Sequence, residues 1–196
     1  MKIIRKHYGT IELGSSVILS DPCYDLDEWC SGKVQNMIPG IYDCYADFAI
    51  MGSWGTRVVR LILVHTNVPN EGPAKIKEVP ACLAVDAGVF GIYDEQYFRK
   101  VKDANPDAWY NQNVLSWIND EEGFICEDAK GFITTSGYGD GYYDAYCYHD
   151  DEENVYKIEV VFIDAEPEES ISIINHVDNE ITVKEITAEL KEINKE

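Results

Sequence analysis

The residues most suited to chemistry sit in Ser136-Gly137-Tyr138-Gly139-Asp140-Gly141-Tyr142-Tyr143-Asp144-Ala145-Tyr146-Cys147-Tyr148. Three glycines bracket Tyr138 and Asp140, and five tyrosines fall between positions 138 and 148. Glycine permits sharp bends and close approaches that other residues resist, so Asp140 reads as a carboxylate set on a bent backbone. Asp21 precedes Pro22, Asp86 ends an apolar run, and Asp94 follows a glycine-bearing stretch. Each is a strand-end or bend position from which a rigid sheet can aim a side chain into a shared site. Carboxylates gathered in one place repel unless a cation or a shared proton compensates. Convergence of Asp21, Asp86 and Asp140 would therefore suit a metal-dependent hydrolase. The alternative is that each aspartate caps its own turn through nearby backbone amides.

Other signatures are weak or missing. The Asp140-x3-Asp144 spacing is not that of an EF-hand loop. No phosphate-binding loop, dinucleotide fingerprint, H-E-x-x-H or G-x-S-x-G motif occurs, and no cofactor or metal is expected. None of the six cysteines forms a C-x-x-C pair, and reduced thiols are expected. Cys23, just after Asp-Pro, is the one candidate nucleophile, with His7, His65 or His149 as its base; its acidic surroundings argue against activation. The aromatic content offers a different use. Tyr138, Tyr142, Tyr143 and Tyr146, with Asp21, Asp86, Asp94 and Asp140, make up a candidate aromatic-acidic binding surface. Ordinary strand propensity would also place tyrosines there.

The 196 residues carry a net charge of −20, which disfavours direct binding to nucleic acid or anionic lipid. From Asp120 to Glu169, sixteen acidic residues face only Lys130 and Lys157. Such a segment could imitate nucleic acid towards a basic partner, or simply keep hairpin loops solvated. No apolar run reaches the length of a membrane span, and the charged start does not resemble a signal peptide, so a cytoplasmic protein is expected.

The elements that must position these residues are mainly strands. Segments 2–7, 16–20, 81–86, 123–126, 131–136, 142–148 and 155–163 read as strands, and Ile171 to Ile174 as a further one. Tyr42, Cys44, Ala46, Phe48 and Ile50 alternate with mostly polar residues, and Gly52-Ser53-Trp54-Gly55 turns the chain into Val58 to His65, giving a long hairpin. Residues 24–31 suggest a short helix, and 66–80 a loop. Asp94 is placed to cap a helix running to about Val101, and Asn105 to cap another with Pro106 at its first position. Tyr110, Val114, Trp117 and Ile118 would form the apolar face of that second helix. Thr182-Val183-Lys184-Glu185 has capping-box spacing before a stripe of Val183, Ile186, Leu190 and Ile193. The expected fold is α+β and β-dominated, a mostly antiparallel sandwich or partly open barrel with two or three helices, one of them C-terminal. Residues 1–164 form the expected globular domain, and 165–196 an appendage packing on it or on a partner.

The order Ser20-Asp21-Pro22, Pro39-Gly40 before a long strand, Val85-Asp86-Ala87-Gly88 with Asp94, and Gly137-Tyr138-Gly139-Asp140-Gly141-x-Tyr143 before a closing strand resembles the bacterial and phage family catalogued as domain of unknown function 4241. The resemblance spans about residues 15–163, with the glycine-aspartate block its most specific part. It implies a compact β-rich domain and no established activity. The function expected from all of this is a non-enzymatic binding or interaction protein of bacterial or phage origin, of an immunity or counter-defence type. Its partner would be a small molecule or a protein. The metal-dependent hydrolase and the nucleic-acid mimic are the alternatives.

Overall fold

A computed structural model describes residues 3–67, 74–116, 122–165 and, for the backbone, 172–174. Its largest feature grows from the long hairpin. Strand β4 (Gly40–Ile50) returns through a 3-10 turn at Gly52–Trp54 into β5 (Thr56–His65). Tyr42, Cys44, Ala46 and Phe48 of β4 are fully buried, as the period of two predicts. A register shift between Asp47 and Phe48 also puts Ala49 inside.

Around this hairpin lie β1 (Ile4–Leu13), β12 (Val155–Val161), β11 (Gly141–His149), β6 (Lys75–Glu78), β7 (Leu83–Val85) and β13 (Ser172–Ile174). The described strands run β13-β1-β4-β5-β12-β11-β6, with β7 paired to the start of β11. All these pairings are antiparallel except β1 with β13. A second antiparallel sheet has the order β3 (Gly32–Gln35), β2 (Ser16–Ser20), β8 (Val89–Asp94), β10 (Gly131–Thr135), β9 (Gly123–Cys126).

Side chains from both sheets share one core. Val17, Leu19, Phe90, Ile92 and Phe132 of the smaller sheet join Tyr42, Phe48, Leu61, Leu63, Ile158 and Val160 of the larger. The other face of the smaller sheet meets helix α1 (Glu95–Ala104) and helix α2 (Pro106–Tyr110), the latter continuing into a π-helical turn at Asn111–Leu115. There Ile18, Tyr93 and Ile133 pack with Phe98, Trp109 and Val114. The Tyr93 and Phe98 rings stack at 4.1 Å. The β-dominated α+β class is as expected.

Several local expectations change. Residues 24–31 form turns, not a helix: Asp27 has φ 63°, only Cys30 is buried and Leu26 packs partly on the core, while Trp29 stays in solvent. Within the expected loop 66–80, Lys75–Glu78 is a strand. All four residues are exposed, so no burial pattern marks it, and its order comes from backbone pairing with β11. The glycine-bearing stretch before Asp94 is not a bend beyond Gly88 but β8, the centre of the smaller sheet. Gly91 and Gly131 leave flat backbone there, and the Tyr93 ring lies across both; a Cβ at either would collide with it. In the helical segment Tyr110 is half-buried against the same cluster as Val114, as expected, and Trp109 is buried beside them, while Trp117 and Ile118 lie outside the described residues. The expected C-terminal helix also lies outside them.

Candidate functional site

The glycine block folds as a tight turn at one end of the larger sheet. Gly139 N donates to Ser136 O at 2.9 Å, with Gly137 at φ 60° and Gly139 at φ 103°. The Ser136 hydroxyl donates to Gly139 O at 2.9 Å. The Tyr143 hydroxyl reaches Gly139 O at 2.6 Å and Ser136 O at 2.9 Å. A Cβ on Gly137 would sit 3.0 Å from Phe162 Cβ and 3.1 Å from Ile163 Cγ1, so both the conformation and the space at this position call for glycine.

Asp21 fixes the neighbouring loop. The residue is fully buried at the end of β2; its Oδ1 accepts from Cys23 N at 2.8 Å, and its Oδ2 from Asp86 N at 2.8 Å and Ala87 N at 2.7 Å. The next residue, Gly88, turns at φ 67°, and its carbonyl accepts from Ser136 N at 3.0 Å. A Cβ on Gly88 would lie 3.9 Å from Gly139 Cα. Asp21 therefore holds the loop against which the glycine turn rests.

Asp86 and Asp140 are exposed on that pair of turns. Gly141 pairs with Val85, so continuing the antiparallel register sets Asp140 beside Asp86. Asp94 belongs elsewhere. It sits at the other end of β8, a strand about 20 Å long. Its Oδ1 caps α1 by accepting from Gln96 N and Tyr97 N, and its Oδ2 accepts from Gly14 N at 2.8 Å. The structure thus brings Asp21, Asp86 and Asp140 to one end and leaves Asp94 out. Asp21 has both lone pairs of Oδ2 engaged by amides, and among the described residues no group of three or more His, Cys, Asp or Glu is arranged to hold a metal.

The tyrosines separate by the pleat. Tyr142 is 69% exposed and Tyr138 48%. Tyr143 points to the inner side, packing edge-on to Phe162 at 5.2 Å, and its hydroxyl braces the turn instead of facing solvent. Tyr146 is half-buried on the same outer side as Tyr142 and Asp144; burial and the surrounding Asp144, Glu78, Asp164 and Glu159 push its phenol pKa up. Farther along that outer side, ion pairs consume the charges. Arg5 Nε and Nη2 donate to the fully buried Asp47 at 2.7 and 2.9 Å, Arg60 Nε lies 3.2 Å from Glu159, and Lys157 lies 2.7 Å from Glu159.

Two features were not singled out from the sequence. Trp54, on the β4–β5 tip, meets the Tyr138 ring at 5.4 Å and 61° while remaining 61% exposed. Its signal in the sequence was only an aromatic in a glycine-rich turn. Lys102 is buried, donating to Pro22 O and Tyr24 O at 2.7 Å each, and so pins the segment after Asp21 onto α1. Cys23 lies in that segment. Although the residue is exposed, partial burial of its thiol, with Asp21 and Asp86 close by, pushes the pKa up to about 12, the opposite of what a nucleophile needs.

No family model matches the chain, and no similar curated protein or solved structure was found. The family likeness therefore rests on motif order alone. No helix among the described residues is long and apolar enough to cross a membrane.

Proposed function

We propose that the protein is a non-enzymatic binding protein whose contact surface is the end of the larger sheet around Tyr138, Asp140 and Tyr142. The observation that carries this reading is the contrast between a rigid base and an open rim. Asp21, Ser136 and Tyr143 spend their polar groups holding two turns in place, while Tyr138 and Tyr142 stay in water. Large aromatics presented on a fixed backbone are typical interface anchors, because they bury much area at little entropic cost. The same geometry gives a hydrolase little to work with, since Asp21 is enclosed and Cys23 is held as a thiol.

Bacterial or phage origin, membership of the uncharacterised family named above, and a role in immunity or counter-defence are parts of this proposal that rest on the motif order. So is the description of the two sheets as a sandwich, which their shared core favours. The test is capture of a partner by the full chain and by a Tyr138→Ala/Asp140→Asn/Tyr142→Ala variant. Loss of capture with an unchanged melting temperature is expected, and undiminished capture would remove this surface from consideration.

A further inference from the structure

Strand direction places more at this end than the glycine turn. The β4–β5 tip with Trp54, the exit of β12 with Asp164, the exit of β7 with Asp86 and the entry of β11 at Gly141 all lie there. Trp54 and Tyr138 come from separate turns, touch edge to face, and still keep 61% and 48% of their surface exposed. Single exposed aromatics need no explanation, but a fixed pair left open to solvent is surface suited to being covered.

The charge around the pair indicates what covers it. Asp86, Asp140, Asp144 and Asp164 are exposed, and none makes an ion pair among the described residues. Arg5 and Arg60, level with Asp144 across the sheet, are already committed to Asp47 and Glu159. Arg57, beside the tip, donates to the Thr56 carbonyl. An apolar partner would strand these carboxylates without compensation, and an acidic one would be repelled.

We propose that this end of the sheet docks an arginine-rich segment of a partner protein, with Trp54 and Tyr138 stacking on guanidinium groups and the aspartates accepting from them. Arginine meets both demands at once, since its planar cation stacks on aromatic faces while its edge donates to carboxylates. The inference rests on the reading of this end as a binding face and adds the partner's chemistry and the role of Trp54.

The probe is a labelled arginine-glycine repeat peptide, titrated with the full chain at about 0.15 M salt, where the Debye length is about 8 Å. Trp54→Ser/Tyr138→Ser keeps the charge, and Asp140→Asn/Asp164→Asn keeps the rings. Asp151→Asn/Glu152→Gln removes the same charge at the β11–β12 tip, at the opposite end of the sheet. Each of the first two pairs should weaken binding at least about tenfold, and the tip pair by no more than about twofold. Equal weakening by the tip pair, an unaffected aromatic variant, or equal binding of a glutamate-glycine repeat would overturn the proposal. Absence of peptide binding by the unmodified chain would do so too. That result would leave the binding-face reading standing, because solvent protection of Tyr138 and Tyr142 tests it separately.

Discussion

The carboxylate of Asp21 accepts from the amide of Ala87 at 2.7 Å, joining the end of β2 to a loop 66 residues farther along the chain. With its bonds to Asp86 N and Cys23 N, this buried group satisfies three amides. Asp21→Ala strands all three and should cost about 3 kcal/mol in urea unfolding. Asp21→Asn keeps an acceptor oxygen and should cost clearly less. An alanine variant as stable as the parent would show that the carboxylate does not organise this end.

Gly137 and Gly52 separate backbone strain from packing. Both are in the left-handed region, at φ 60° and 57°. A Cβ on Gly137 would crowd Phe162 and Ile163, whereas at Gly52 it would meet nothing within 4 Å. Gly52→Ala should cost about 1 kcal/mol from conformation alone. Gly137→Ala should cost at least about 1 kcal/mol more, since it adds overpacking. Equal losses in chemical denaturation would mean that the Gly137 turn is not packed against Phe162 and Ile163, just past β12.

The Cys23 thiol should be nearly inert near neutral pH. With its pKa pushed up to about 12 by burial and by Asp21, its thiolate fraction at pH 8 is about 10³ lower than for an ordinary cysteine. Iodoacetamide labelling followed by peptide mass spectrometry should find Cys23 slow in the native chain and fast in urea. Rapid native labelling would restore it as a candidate nucleophile.

Acid should weaken the anchoring of α1. Glu95 accepts from Lys33 at 2.7 Å, from Ser16 at 2.7 Å and from Arg99 at 3.0 Å, with Lys33 the main cause of a pKa lowered to about 2. A carboxylate depressed in the folded state adds stability above its unfolded pKa, near 4.5, and loses it as pH falls towards 2. Glu95→Gln should therefore flatten the stability profile between about pH 5 and pH 2. An unchanged acid limb would assign that loss to other carboxylates.

What was legible in the sequence followed from burial patterns. Tyr42, Cys44, Ala46 and Phe48 of the β4–β5 hairpin recur at a period of two because that side faces the core, and Asp94 and Asn105 cap their helices through local bonds. β6 was invisible because neither of its sides is buried. β8 was hidden because Gly91 reads as a bend unless the ring of Tyr93 is known to cover it. For the site, the glycine turn and the nearness of Asp21, Asp86 and Asp140 could be anticipated from strand ends and bends. The inward turn of Tyr143 and the meeting of Trp54 with Tyr138 depend on tertiary packing that no local spacing records.

Hydroxyl-radical footprinting of the full chain, alone and in bacterial extract, tests the central claim most directly. Trp54, Tyr138 and Tyr142 should be protected in the extract, while Trp29, 69% exposed on the turns after β2, should react equally in both. Equal reactivity of all four residues in the two conditions would contradict a binding face at this end of the sheet.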